Sequence, residues 1–193
     1  MIRRMLLVLP VVAGVLLVGT LAGAQEYSAD MVSREGNKVT NMKIYIAQDK
    51  FRMEMTGSIM IMRKDLNLTW MVMPSDEMYM ENPINLALIQ KMSRDFSDEI
   101  ERVPMGIEVI DGQNAEKFKV SYMDNGNVKT VYQWLRDQVP VKVEAEDQSW
   151  STEYHNIEIG PQPADLFEPP ADYEKFSIPS MGDIMKNIGN MVP

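Results

Sequence analysis

The chain has 193 residues, no cysteine, and 19 Lys+Arg against 28 Asp+Glu, which gives a formal net charge of −9 at pH 7. The lack of cysteine excludes a disulfide framework, a thiolate zinc site, an iron–sulfur cluster and a cysteine nucleophile. The acidic balance argues against a general nucleic-acid-binding protein, which needs a basic face. The chain also contains 18 methionines, a number that requires a physical explanation.

Residues 1–24 have the pattern of a secretory signal peptide. Arg3 and Arg4 form a positive start, an uncharged and mostly apolar run follows, and Ala22-Gly23-Ala24 matches an A-x-A cleavage site. We predict cleavage between Ala24 and Gln25, which leaves residues 25–193 as one exported domain in the periplasm. An uncleaved membrane anchor is the competing interpretation, because about 20 apolar residues can span a bilayer. No cysteine follows the cleavage site, so a lipid anchor on the protein is not expected.

Short strands separated by turn signals fill residues 27–81. Gly36-Asn37 and Gly57-Ser58 are glycine-containing dipeptides typical of two-residue hairpin loops, and Asp49-Lys50, Leu66-Asn67 and Ser75-Asp76 are weaker breaks. The spacing leaves no room for crossover helices, so an antiparallel meander is expected. The six predicted strands cover residues 27–34, 39–47, 51–56, 59–64, 69–73 and 78–81.

These loops set a pairing register between neighbouring strands. The Gly57-Ser58 loop places Met53 opposite Met62, and the next loop places Met62 opposite Met71. The last loop of the meander places Met73 opposite Met78. Because side chains alternate between the two faces of a strand and paired residues share a face, the methionines should collect on one side of the sheet.

The predicted apolar face lies on the concave side of a curved sheet and is our candidate lipid-binding face. Its members are Met31, Met42, Ile44, Ile46, Met53, Met55, Met60, Met62, Met71, Met73, Met78 and Met80, together with Tyr27, Ala29 and Phe51. The opposite face should be mixed and wetter. It carries Arg52, Glu54, Arg63, Trp70, Val72, Tyr79 and Glu81.

Two amphipathic helices and a second set of strands complete the expected architecture. The second set covers residues 105–110, 115–123, 128–135, 139–146 and 150–159, so a mainly β domain of about eleven antiparallel strands is predicted. Apolar residues at helical spacing predict helices over residues 84–94 and 181–191. Both helices are candidate lids over the methionines, through Leu88, Met92, Ile184, Met185 and Ile188.

A catalytic site is hard to assemble from this sequence. It contains no G-x-S-x-G, H-E-x-x-H, Walker loop or dinucleotide fingerprint. His155 is the single histidine and is expected at the surface rather than as a metal ligand, and acid pairs such as Glu144 and Glu146 are expected to be solvated. We therefore predict that the protein is not an enzyme, with no catalytic residues, no cofactor and no metal site.

The methionine-rich face has three interpretations. Methionine is a flexible residue that fills gaps in a core, although branched residues specify a core better. An adaptable hydrophobic surface that holds acyl chains is the second interpretation. Cu(I) bound by thioethers is the third and least favoured, since no His or Cys accompanies the methionines. Core packing and an acyl-binding cavity can coexist in one face.

The order of strand and turn motifs resembles a known family. The motifs are residues 26–31, Gly36-Asn37, Lys43-Ile44-Tyr45, residues 50–54, Trp70 to Pro74, residues 106–112, Trp134, Pro140-Val141-Lys142, Asn156-Ile157 and residues 166–173. The pattern resembles exported bacterial proteins related to the periplasmic lipoprotein-sorting carriers of the LolA/LolB type. The resemblance implies an open half-barrel of about eleven antiparallel strands, whose concave face is closed by short helices and takes up lipid.

These observations predict an exported binding protein for lipid or lipoprotein acyl chains, acting in transport or in envelope maintenance. The alternative is a structural or assembly module with a filled core, whose partner is an envelope protein. In the carrier interpretation a lid helix is displaced on loading, whereas in the alternative both helices are permanent parts of the core.

Overall fold

The computed structural model describes residues 26–84, 99–124 and 126–176. The signal segment with Ala24 and Gln25, the five lid residues and nearly all of both predicted helices lie outside these ranges. The described strands are β1 (Tyr27–Glu35), β2 (Lys38–Ala47), β3 (Lys50–Met55), β4 (Ser58–Arg63), β5 (Leu68–Met73), β6 (Met78–Pro83), β7 (Glu99–Ile110), β8 (Gln113–Asp124), β9 (Asn127–Arg136), β10 (Val139–Ala145), β11 (Trp150–Ile159) and β12 (Glu174–Lys175). Among the described residues, no helix has the length and apolar composition needed to cross a membrane.

The strands fall into two compact units. Unit 1 contains the described residues up to 48 and from 99 to 162, and its strand order is β2-β1-β11-β10-β9-β8-β7. Unit 2 contains residues 49–84 and 163–176, with the order β3-β4-β5-β6-β12. All pairings within the units are antiparallel except that of β12 with β6, and neither order closes on itself. The predicted fold class, mainly β with antiparallel strands, is therefore confirmed.

In unit 1 the first hairpin follows the predicted register. The Gly36-Asn37 loop joins β1 to β2 and places Met31 opposite Met42, as predicted. The later strands also agree, although β7 begins at Glu99 rather than at residue 105. Asp137 and Gln138 form the loop between β9 and β10, and both have positive φ, as a two-residue loop between twisted strands requires.

In unit 2 two loops differ from prediction, and both change the pairing by two residues. The β3–β4 loop is Thr56-Gly57, because the positive φ of 77° at its second position suits glycine, and Met53 therefore pairs with Met60 instead of Met62. The β4–β5 loop has four residues, so Met60 rather than Met62 pairs with Met71. A two-residue shift preserves the face of every side chain, and Met53 and Met62 share a face as predicted.

The opposite face of unit 2 is not the wetter surface that the sequence predicts. Ile61, Trp70 and Val72 are buried there, and Arg63 is buried with them. The residues that follow Pro163 lie across this face as a short 3-10 helix (Ala164–Phe167), with Phe167 buried. The prediction was wrong because this cover comes from a segment about a hundred residues away along the chain. We call this side the closed face.

Two arginines on the closed face bind the covering segment. Arg52 Nη1 donates to the carbonyl oxygen of Leu166 at 2.9 Å. Arg63 forms an ion pair with Glu168 and donates through Nε and Nη2 to the two carboxylate oxygens of Asp65, at 2.8 and 2.6 Å. The hydrogen bonds from Arg63 hold the pKa of Asp65 below its usual value. The two guanidinium groups thus provide hydrogen-bond partners for polar groups of the covering segment. Those groups would otherwise lose their contacts with water without replacement.

We expect the Asp65 carboxylate to stabilise the fold in a pH-dependent way. Because its folded-state pKa lies below the ordinary value of 3.8, its contribution is complete above that pH and is lost as the pH falls through the folded-state pKa. Asp65→Asn should lower the free energy of unfolding at pH 6 by about 1 kcal/mol, a modest amount because the pair is partly exposed.

Urea unfolding between pH 2 and pH 6 checks this expectation. The wild-type and Asp65→Asn stabilities should converge below about pH 3.8. Asp76→Asn, in the next loop, is the matched control, since Asp76 contacts the hydroxyl of Ser75 rather than an arginine. A stability difference between wild type and Asp65→Asn that stays constant across this range would contradict the assignment.

Candidate functional site

Eight methionines of unit 2 lie on one face of its sheet. The observed pairings of β3 with β4, β4 with β5 and β5 with β6 place them on the same side. We call this the methionine face, and its methionines are Met53, Met55, Met60, Met62, Met71, Met73, Met78 and Met80. Met53, Met60 and Met62 are buried, and the other five are half-buried. Within β3 to β6, no charged side chain shares this face, whose other positions are Phe51, Ser58, Thr69 and Asn82.

The sheet of unit 2 is therefore apolar on both sides, but the two sides differ in chemistry. The closed face contains branched and aromatic residues with fixed shapes, and a described segment of the chain covers it. The methionine face contains unbranched thioethers that can repack around different shapes. The two faces therefore differ in the shape and flexibility of their side chains.

The six remaining residues of the predicted lipid-binding face lie together in unit 1, and they are Tyr27, Ala29, Met31, Met42, Ile44 and Ile46. Met31 pairs with Met42 on one side and with Tyr154 on the other, and Ile44 and Ile46 share this face. All of them are buried. Burial is the main reason that the pKa of Tyr154 is raised well above its usual value, so this phenol stays neutral at physiological pH.

This side of unit 1, which we call the core face, continues across β11 to β8. Its further buried members are Thr152, Val143, Gln133, Val131 and Val120. Tyr154, Gln133 and Thr152 are not among the residues predicted from the sequence, because faces were assigned only to the strands of the meander. The alternation of residues in the second strand set was the signal that could have placed them. That these two faces bind lipid stays a prediction.

The outer face of unit 1 carries charged side chains that are paired with one another around Trp134. Lys117 Nζ lies 4.7 Å from the ring centre of Trp134 and donates to Glu108 Oε1 at 2.8 Å. Trp134 Nε1 donates to the other oxygen of Glu108 at 2.8 Å. These two hydrogen bonds lower the pKa of Glu108, and the one from Lys117 has the larger effect. Each charged group already has a partner, so this arrangement is suited to holding strands β7 to β9 together.

His155 lies on the same side and contacts two carboxylates. Its Nδ1 is 2.8 Å from Asp111 Oδ2, and its Nε2 is 3.5 Å from Glu153 Oε2. It is half-buried rather than fully exposed. In the part of the chain that the structure describes, no group of three or more His, Asp or Glu side chains is arranged to hold a metal ion.

The two faces of unit 2 should respond differently to truncation. Ile61→Ala removes a fully buried side chain from the closed face and should lower the free energy of unfolding by about 2–5 kcal/mol. Met71→Ala on the adjacent strand removes a half-buried side chain from the methionine face and should cost about 1 kcal/mol or less. Denaturant unfolding measures both values. Equal losses would mean that the methionine face is packing core as much as the closed face is.

Several solved structures share this fold. A chain of the Pseudomonas aeruginosa MucA/MucB complex is 14% identical, with 80% of this chain and 59% of that chain covered and a TM-score of 0.51. A crystal structure of MucB is 13% identical, with 77% and 58% covered and a TM-score of 0.50. This chain therefore spans about three fifths of the MucB chains that it matches.

A LolA superfamily protein is also among the matches. That protein, from Nitrosomonas europaea, is 10% identical, with 75% of this chain and 89% of that chain covered and a TM-score of 0.36. At these identities the likeness shows the fold alone. No curated protein sequence matches the chain. The family assignment comes from the sequence itself: the chain belongs to the DUF4412 family, a domain of unknown function that matches residues 26–138.

Proposed function

We propose that this protein is an exported, periplasmic binding protein rather than an enzyme, and that its methionine-bearing faces hold the acyl chains of lipids or lipoproteins. The observation that carries the proposal is the methionine face of unit 2. It gathers eight uncharged, flexible side chains on one side of a sheet whose opposite side already forms a packed core. Five of the eight are half-buried and so retain surface that a ligand could cover.

The dimensions and the energetics of the methionine face suit this role. Four strands spaced by about 4.8 Å, with three facing positions per strand at about 3.3 Å per residue, give a surface of about 14 by 13 Å. That size is comparable with a medium-length acyl chain. Each buried methylene contributes about 0.8 kcal/mol before the entropic cost of binding. Because thioether side chains adjust their rotamers easily, chains of different length and unsaturation can be accommodated.

Two further observations support an exported binding protein. The signal-like residues 1–24 indicate export. The fold is shared with a chain of the MucA/MucB complex, a structure in which two different proteins are assembled. Motifs for nucleophilic, metal or nucleotide chemistry are missing from the sequence, which favours a binding role over catalysis.

The test is to make the methionine face polar where it is half-buried. Met71 and Met80 are directly paired, so the double variant Met71→Gln/Met80→Gln places two amides side by side on the face. Titration with a fluorescent fatty acid should show binding weakened about tenfold or more, because the amides raise the cost of desolvating the face.

The matched control is Val39→Gln/Val128→Gln, which makes the same kind of change at two exposed positions of unit 1. This control should bind the fluorescent fatty acid as the wild type does. Melting temperatures are measured for both double variants. Unchanged binding in Met71→Gln/Met80→Gln, with only a lowered melting temperature, would show that the face is core and not a binding surface.

A second candidate function, contact with an envelope protein, is favoured by strand β7. It lies at the end of the strand order in unit 1, and among the described strands it pairs only with β8. Ile107 is 69% exposed and Val109 is 65% exposed, on the same side of the strand. Two irregularities interrupt β7, the second between Pro104 and Gly106, but the part from Ile107 onwards pairs regularly with β8. An extended peptide that added a strand there would use this edge and these side chains.

Ile107→Lys tests the second candidate. We expect the variant to keep the wild-type melting temperature and to lose chemical cross-linking to a protein partner in native envelope preparations, because a charge replaces an exposed apolar contact. Ile159→Lys changes an exposed isoleucine on the internal strand β11 and should leave the cross-link intact. A cross-linking pattern that is the same in both variants would reject the edge of β7 as the contact.

A further inference from the structure

Four half-buried methionines form a compact block on the β5–β6 side of the methionine face. Each of these two strands contributes an M-x-M pair, and the register places Met71 opposite Met80 and Met73 opposite Met78. All four side chains are half-buried. We call these four residues the thioether block.

The spacing within the thioether block suits a single metal ion. Directly opposite residues of an antiparallel pair have Cβ atoms about 5 Å apart, and successive residues on one face of a strand are about 6.6 Å apart. The centre of the block is therefore about 4 Å from each of its Cβ atoms. Each sulfur stands two bonds beyond its Cβ, and a metal–sulfur bond adds about 2.3 Å, so all the thioethers can reach one ion above that centre.

A carboxylate from a distant part of the chain borders the thioether block. Strand β12 runs parallel to β6 and places Glu174 beside Met78, on the same side of the sheet. Glu174 is exposed, and its carboxylate forms no ion pair with a described residue. The next residue, Lys175, is paired with Glu81 on the other side of the sheet. The pairing of β12 with β6 thus brings one negative charge to the edge of the block.

Thioether sulfurs beside a single carboxylate favour one class of ligand. Thioethers are soft ligands that select Cu(I), whereas carboxylates and water suit the harder divalent ions. A thioether carries no proton, so it binds a metal without the deprotonation that a cysteine site requires. A monovalent ion brings one positive charge, which a nearby carboxylate can balance.

We propose that the thioether block binds one Cu(I) ion through the sulfurs of Met71, Met73, Met78 and Met80, with Glu174 as the balancing charge. The sequence predicted no metal site, since neither His nor Cys accompanies the methionines. The balancing charge comes from a strand pairing between segments far apart in sequence. This inference goes beyond the proposed function, because an acyl chain needs only the apolar surface of these side chains, whereas Cu(I) needs their sulfur atoms.

The experiment is a competition titration of the full exported chain with Cu(I), kept reduced by ascorbate without oxygen, against the chromophoric chelator bicinchoninate. The wild type should take one Cu(I) ion from the chelator, and an excess of Zn(II) should not displace it. Leucine is close to methionine in volume but has no sulfur. In Met71→Leu/Met80→Leu the affinity should fall about a hundredfold or more, because a direct ligand matters more than an outer-shell partner, whose loss costs about 10–100-fold.

Met31→Leu/Met42→Leu is the matched control. These methionines are also directly paired, but they are buried in unit 1, so this variant should bind Cu(I) as the wild type does. Melting temperatures of both metal-free double variants should stay close to that of the wild type. A Cu(I) affinity that is unchanged in Met71→Leu/Met80→Leu, or reduced equally in both double variants, would overturn the inference.

Salt dependence tests the role of Glu174. Glu174→Gln should weaken Cu(I) binding severalfold at low ionic strength, and the variant and the wild type should converge as salt is added, because exposed charges are screened. Asp172→Asn removes another exposed carboxylate of the same segment and should leave the affinity unchanged. Equal affinities of Glu174→Gln and the wild type at low salt would overturn the assignment of Glu174.

Titration with the fluorescent fatty acid separates this inference from the proposed function. Met71→Leu/Met80→Leu keeps an apolar face, so it should bind the fatty acid as the wild type does while it loses Cu(I). If the wild type binds the fatty acid but takes no Cu(I) from the chelator, this inference alone is overturned. If the wild type binds Cu(I) but not the fatty acid, the proposed function alone is rejected.

Discussion

The period-two alternation of side chains across antiparallel hairpins is the constraint on which the rest of this molecule depends. A hairpin loop sets the pairing of its strands, and the pairing sets which side chains share a face. In unit 2 three successive hairpins place eight methionines on one side and Ile61, Trp70 and Val72 on the other. A one-residue change in any loop would mix the two sets, whereas the two-residue changes found at two loops leave both faces intact.

The sorting of side chains gives unit 2 two apolar faces, and the segment around Phe167 covers the closed face. Arg52 and Arg63 make that cover possible, because their long side chains reach the backbone and carboxylate of the segment around Phe167. Charged heads on apolar stems can be packed against a core while their ends remain hydrogen-bonded. The branched and aromatic side chains of the closed face then pack beneath the covering segment.

Unit 1 has a similar apolar face that encloses two polar side chains, and Gln133 Nε2 and Thr152 Oγ1 have no hydrogen-bond partner among the described residues. The Glu99–Arg102 pair does more than neutralise charge, because it orients the Gln133 amide and so decides that a donor, not an acceptor, faces the core.

The sequence by itself determined the local part of this structure. Turn dipeptides and alternating apolar residues were enough to predict most strands, the register of the Gly36-Asn37 hairpin and the common face of Met53 and Met62, because neighbouring strands in a hairpin are joined by a few residues. The choice of Thr56-Gly57 over Gly57-Ser58 was not decided locally, since either dipeptide supplies a glycine.

Tertiary structure alone decided everything that joins distant parts of the chain. It paired β1 with β11, brought β12 beside β6, and laid the residues around Phe167 over a face that alternation alone marked as wet. It also enclosed Gln133 and Thr152 within the core face. The physical reason is that no loop of fixed length connects these segments. Their pairing follows from the burial of apolar surface and from hydrogen bonds of groups far apart in sequence, and short-range patterns contain neither.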